Sequence, residues 1–267
     1  MTWQPESDWT PLTAGTGQAT GGVWRAPSGT VVKRLVPGVA DPRHHAYWER
    51  QALVAESGVV ARTAGVRAPR FLGLERDAGG ITLRMAEVAP VMWAPEALAA
   101  ALGRFAACSV AEPAWGARDV LRDRLKTVER RGGWSSLGAH PTIEQLWRRR
   151  ETALDLLDAL PQVPTHGDAH PANLLGRDAD TAIAIDWEQF GLGPIGFDLG
   201  YLLLATQASL DDLVAAYGGG RCGAVLVAAY TGVSRAAWAV GRVGAGEHLE
   251  RLGWLVGVVE EAVDYVS

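Results

Sequence analysis

The chain has 267 residues with 25 basic and 30 acidic side chains, a net charge of −5, and 48% of its residues are hydrophobic. That apolar share is enough for a packed core and excludes a disordered chain, while the acidic balance excludes general nucleic-acid binding, which needs a basic face. Two cysteines, Cys108 and Cys222, exclude a disulfide framework, and the longest uncharged apolar stretch, residues 223–233, is far short of the ~20 residues that cross a membrane. The N-terminal residues carry no basic, apolar leader, so the expectation is a cytoplasmic protein with no membrane or nucleic-acid partner.

In chain order, residues 9–36 read as strands and turns. Glycines 15, 17, 21 and 22 punctuate the first part, and residues 30–36 are β-branched and apolar. Asp41-Pro42 has the form of a helix cap followed by a first-turn proline. The helix it predicts runs through Tyr47, Trp48, Leu53 and Val54 to Gly58. Strands are expected near 70–75 and 80–87. Past Pro90, residues 95–160 are rich in Ala, Leu and Arg at helical spacing, closed by Pro161 and Pro164. Residues 164–190 read as short loops with one strand, 181–185, and residues 197–267 as helical again. The expected class is therefore α+β, with residues 1–87 as a strand-dominated first lobe and 88–267 as a larger helical lobe. The second lobe holds 15 basic and 22 acidic side chains.

Only Lys33 and Lys126 are lysine, against 23 arginines, and Asn173 is the one asparagine. The informative stretch is His166-Gly167-Asp168-Ala169-His170-Pro171-Ala172-Asn173, followed by Asp186 in Ile185-Asp186-Trp187-Glu188. Phosphoryl transfer from a nucleotide needs a carboxylate beside the acceptor hydroxyl, oxygen ligands for Mg2+ and a cation on the phosphates. Asp168 suits the first, Asn173 and Asp186 the second, and Lys33, on a predicted strand, the third as a compact point charge.

The spacing His-x-Asp-x-x-x-x-Asn, then a strand ending in Asp, resembles the protein-kinase catalytic loop and metal-binding Asp. The variant His-Gly-Asp-x-His-x-x-Asn with Ile-Asp-Trp-Glu resembles the aminoglycoside phosphotransferase and choline kinase family, as does Gly193-Pro194-Ile195-Gly196-Phe197-Asp198-Leu199-Gly200. The resemblance implies a bilobal protein-kinase-like fold, with a small antiparallel sheet and one helix in the first lobe. It implies Asp168 as catalytic base, Asn173 and Asp186 on Mg2+, Lys33 on the phosphates of ATP or GTP, and His166 and Asp198 as structural braces of the loop. It also implies a nucleotide base against the connecting segment at Met85, Glu87 and Val88. Glu49 best matches the family's helix Glu that pairs with the lysine, with Glu56 as the other candidate. Gly15 and Gly17 are candidates for phosphate contact, although they do not form Gly-x-Gly-x-x-Gly, and no Walker loop, Asp-Phe-Gly or Ala-Pro-Glu element occurs.

For the acceptor, the acidic second lobe suggests a cation. Glu260, Glu261 and Asp264 resemble the acidic C-termini of aminoglycoside kinases, and Trp187 and Glu188 adjoin the motif. The expected function is an antibiotic O-phosphotransferase, monomeric or homodimeric, acting on a cationic or amino-sugar compound to give resistance. A kinase of a metabolite hydroxyl (choline, homoserine, a sugar or a ketosamine) is the alternative. A zinc hydrolase using His166, Asp168 and His170 is a remote one, and it leaves Asn173 and Asp186 without roles. A kinase-fold binding protein without turnover is a third reading, against which all four core residues are present.

Overall fold

The computed structural model describes residues 3–12, 19–242 and 245–267. The first lobe contains β1 (Thr10–Pro11), β2 (Thr20–Arg25), β3 (Thr30–Leu35), α1 (Arg50–Ser57), β4 (Val66–Arg67), β5 (Phe71–Asp77) and β6 (Gly80–Ala86). Five of these strands form one antiparallel sheet in the order β1-β2-β3-β6-β5. The register sets Lys33 opposite Val23 on one side and Leu83 on the other, and Val31 opposite Met85. Side chains alternate along a strand, so Val23, Val31, Lys33 and Met85 share one face. The same face carries Leu35 and Ile81, which bury Ala52 of α1. On the opposite face Arg34 is tied to Asp77 and Thr82 at 2.6–2.9 Å.

The helix expected from Asp41 begins only at Arg50, and turns occupy residues 42–49. The cause is Arg50 itself. Its fully buried guanidinium donates to the carbonyls of Pro42, His44 and His45, and also to those of Trp115 and Glu188 in the second lobe. These carbonyls converge on the buried cation, and the chain bends around it in turns, with His44 O also accepting from Tyr47 N–H at 3.0 Å, so the local capping signal is overridden.

The second lobe follows a connecting segment at 87–94. Its elements are α2 (Pro95–Ala106), α3 (Val120–Arg130), α4 (Pro141–Arg148), α5 (Arg150–Ala159), β7 (Gln162–Thr165), β8 (Gly176–Asp178), β9 (Thr181–Ile183), β10 (Gly191–Pro194), α6 (Phe197–Leu203), α7 (Leu210–Tyr217), α8 (Arg221–Ala239), α9 (Ala245–Trp254) and α10 (Val256–Val266). Helix α8 is buried along most of its length by small and β-branched residues, and packs against α6, α9 and α10. Gly196 has φ +92°, and a Cβ there would stand 2.0 Å from Gly220 O, so only glycine lets α6 start this close to α8.

The strand expected at 181–185 is β9, and it has partners that periodicity did not reveal. β8 pairs with it antiparallel, and β4 from the first lobe pairs with it in parallel, Val66 opposite Ala182. β7 and β10 form a separate antiparallel pair, Thr165 opposite Gly191. These short ladders hold the segment 166–175 and the segment 184–190 side by side. The whole is the two-lobed α+β arrangement that the resemblance implies.

Candidate active site

A cleft of about 700 Å3 lies between the lobes, lined by Val31, Lys33 and Met85 from the sheet and by Asp168, Asn173 and Asp186 from the second lobe. Asp168 and Asn173 lie on the loop between β7 and β8, and Asp186 follows β9. Ile185 N–H donates to Asn173 O at 2.8 Å, which fastens the two segments together.

The loop is fixed from beneath. Asp198 at the start of α6 is buried and accepts from His166 N–H at 2.7 Å and Gly167 N–H at 2.9 Å. Burial pushes its carboxyl pKa up, against the pull of those two bonds. Gly167 has φ +84°, and a Cβ would meet Gln189 O at 2.5 Å, so the tight turn before Asp168 requires glycine. His166 spends both ring nitrogens. Nε2 faces Ile185 O at 2.8 Å and Nδ1 accepts from Asp168 N–H at 3.3 Å, which assigns the proton to Nε2.

Above the loop, Asn173 Nδ2 donates to Asp168 O at 2.9 Å and Asp168 Oδ2 at 3.1 Å. The amide oxygen of Asn173 is thereby left as the atom available to a cation. Asp186 adopts φ +62°, a left-handed conformation rare outside glycine, and its carboxylate meets Lys33 Nζ at 2.5 Å across the lobe boundary. Lys33 is 5% exposed, so the Asp186 carboxylate is the counter-charge of its buried ammonium. Glu188 also lines the cleft, and burial raises its pKa.

Met85, Glu87 and Val88 line the cleft where the connecting segment begins. Ala86 N–H donates to Arg70 O and Glu87 N–H to Gly29 O, at 2.9 and 3.2 Å, whereas Val88 N–H has no partner among the described residues. Gly15 and Gly17 lie outside the described residues.

Four expectations are corrected. Glu49 sits before α1, beside Tyr47, and forms no pair with Lys33. Glu56 is taken by Arg76. The residue of α1 that enters the cleft is Gln51, buried, with its Oε1 lacking a partner. No sequence signal marked it, because its inward position follows from the helix start at Arg50, which turns Gln51 and not Glu49 inward. Trp187 packs in the core against Phe105, His166 and Phe190, with its indole N–H on Ala184 O, and does not line the cleft. Glu260, Glu261 and Asp264 lie on α10, which packs on α8, α4 and α5; none lines the cleft, and Glu261 is bound to Arg221 at 2.7–2.8 Å. The zinc cluster does not form: with both His166 nitrogens engaged and His170 Nδ1 accepting from Ala172 N–H, the three side chains do not gather ligand atoms.

A lysine on the sheet opposite an Asp-Asn-Asp set on the helical lobe, with a nucleotide-sized cleft between, defines the class of kinase-like phosphotransferases. The model of the phosphotransferase enzyme family matches residues 8–235, and the chain belongs to that family. No curated protein matches the sequence. Among solved structures the chain is similar to a choline/ethanolamine kinase family protein from Mesorhizobium loti, at 18% identity and a TM-score of 0.62, over 96% of this chain and 92% of that one. It is similar to aminoglycoside 2'-phosphotransferase-IIIa in its GDP complex, at 16% identity, TM-score 0.60, and 96% and 92% coverage. It is also similar to an amicoumacin kinase in complex with AMP-PNP, Ca2+ and Ami, at 12% identity, TM-score 0.59, and 97% and 90% coverage. At these identities the likeness is one of fold.

Proposed function

We propose that the protein transfers the γ-phosphoryl group of ATP or GTP to a hydroxyl of a small molecule. The observation that carries this reading is the convergence of Lys33, Asp168, Asn173 and Asp186 on one cleft. The donor set fits a hard cation: the amide oxygen of Asn173 and the carboxylate of Asp186 would hold Mg2+. When bound, that ion neutralises charge on the phosphates. Lys33 shifts from Asp186 toward the α/β-phosphates, and the base edge takes the free N–H of Val88. Asp168, oriented by the Asn173 amide, accepts the proton of the acceptor hydroxyl as its oxygen bonds to the γ-phosphorus and the nucleoside diphosphate leaves.

Antibiotics are the first acceptors to test. Solved relatives of the same fold are described as a kanamycin complex, a macrolide 2'-phosphotransferase and an amicoumacin kinase. Phosphorylation of such a compound would give resistance. Metabolite hydroxyls come second, as the choline/ethanolamine kinase relative suggests. The test is nucleoside diphosphate release by the purified chain with Mg2+, ATP or GTP and a panel of both kinds. Acceptor-dependent release that Asp168→Asn removes supports the reading. Failure to bind either nucleotide would refute it.

A further inference from the structure

Beside Asp168 the cleft adjoins a second cavity of about 660 Å3, formed by α3, α8 and the turns near His44. Arg124, Arg130 and Arg131 reach it from α3 and its end, and Arg235 from α8, together with His44 and His45; no carboxylate among the described residues lines it. Asp123, on α3, stands 3.7 Å from His45 Nδ1 and 3.6 Å from Lys126 Nζ.

Few of these charges meet a carboxylate at close range. Arg124 donates to the neutral Gln189 Oε1 at 2.6 Å, and Arg130 to Thr127 Oγ1 at 3.0 Å. Arg130 and Arg131 have no carboxylate partner among the described residues. Arg235 reaches only Asp168, at 3.5 Å. Several arginines elsewhere are tightly paired, as Arg34 is with Asp77, Arg76 with Glu56 and Arg221 with Glu261. Arg124 and Arg235 both lie over the Tyr201 ring, 5.1 and 5.3 Å from its centroid, which partly offsets their charge. Burial brings Arg124 down to about 10, so it stays cationic at neutral pH. Two further polar atoms on the cavity, Thr231 Oγ1 and His45 Nδ1, are buried without a hydrogen-bond partner. Like charges gathered on one cavity, with Arg124 and Arg235 at its inner end largely withdrawn from water, favour an anion from outside.

We propose that the acceptor is an anionic hydroxy compound, whose carboxylate or phosphate group is held by Arg124 and Arg235 beside Asp168 and by Arg130 and Arg131 further out. This rests on the phosphotransfer reading above. Planar guanidinium forks match both anions bidentately. With the anion on Arg235, Asp168 is released to face the hydroxyl. The acceptor oxygen then bonds to the γ-phosphorus, the bond to the β,γ-bridging oxygen breaks, the nucleoside diphosphate leaves and the hydroxyl proton passes to Asp168.

The test has a turnover arm and a binding arm. Size-matched hydroxy acids, sugar phosphates, neutral polyols and cationic amino sugars are compared as acceptors with Mg·ATP or Mg·GTP. The proposal expects anionic compounds to exceed neutral ones by about tenfold or more in kcat/KM, an advantage that salt erodes. The preferred anion, carboxylate or phosphate, is read from the same set. Arg131→Glu, at an exposed position, should raise the KM of the anionic acceptor about tenfold and leave nucleotide affinity unchanged. In the binding arm, citrate and phosphonoacetate are titrated by calorimetry into protein already loaded with Mg·AMP-PNP, so that the phosphate site is filled. Binding lost in Arg131→Glu supports the proposal, and no binding overturns it whether or not any acceptor turns over. Better turnover of amino sugars, improved further by Arg131→Glu, overturns it while leaving phosphotransfer intact. A chain that binds no Mg-nucleotide refutes the phosphotransfer reading and this proposal with it.

Discussion

Asp168 and Lys33 occupy opposite walls of the cleft, and the proposed function gives them different work, so their variants should fail differently. Asp168→Asn keeps the shape and one carbonyl oxygen but cannot take a proton as a carboxylate does. We expect kcat to fall about 10²–10⁴-fold with nucleotide affinity retained, measured by steady-state kinetics beside nucleotide titration. Lys33→Arg should instead raise the KM for nucleotide. A planar fork does not replace a compact ammonium in a pocket where the side chain is buried and 2.5 Å from Asp186. These residues were legible because their chemistry is written contiguously: the loop 166–173 and Asp186 carry fixed spacing, and Lys33 stands out among 23 arginines. Gln51 was not, because an amide has no motif and its inward position depends on where α1 starts. The arginine cavity was not, because its residues come from positions 124–131 and 235, and only packing of α3 on α8 unites them. Net charge does not locate charge: Glu260, Glu261 and Asp264 count in the lobe's total yet lie on α10, apart from the cleft.

At the scale of elements, two buried polar side chains decide how segments meet. Arg50 ties the turns at 42–45 to Trp115 O and Glu188 O, so α1 is held to the second lobe by hydrogen bonds as well as by packing. Arg50→Met would fill similar space and leave those carbonyls unmet. At roughly 1–3 kcal/mol for each buried group left without a partner, we expect the thermal midpoint to fall by about 5 °C or more. A midpoint equal to wild type would mean that the guanidinium does not organise this start. Asp198→Ala should combine both defects, a lower midpoint and lost turnover, because His166 N–H and Gly167 N–H lose their acceptor and the turn before Asp168 loses its brace. The strands of the first lobe were legible from β-branched runs and glycine punctuation. The false helix start at Asp41 and the unseen pairing of β4 with β9 share one cause: long-range partners outweighed local signals.

For the whole molecule, the junction of the two cavities gives stability a pH dependence. Burial, Arg124 and His44 together lower the His45 pKa from 6.5 to about 4, with Asp123 opposing them. A base whose folded pKa is depressed contributes stability that is complete above its unfolded pKa and lost as pH falls toward its folded pKa. Thermal midpoints should therefore decline from about pH 6.5 toward pH 4, and His45→Gln should flatten that decline. Equal slopes in the two proteins would remove His45 as the cause.

The central claim is that Lys33, Asn173 and Asp186 form a nucleotide and divalent-cation site between the lobes. Calorimetric titration of AMP-PNP and of a non-hydrolysable GTP analogue, with and without Mg2+, tests it most directly in wild type, Lys33→Ala and Asp186→Ala. The account predicts binding of at least one nucleotide that requires Mg2+ and weakens by about tenfold or more in both variants. Equal binding without the cation, or binding that neither variant changes, would contradict it.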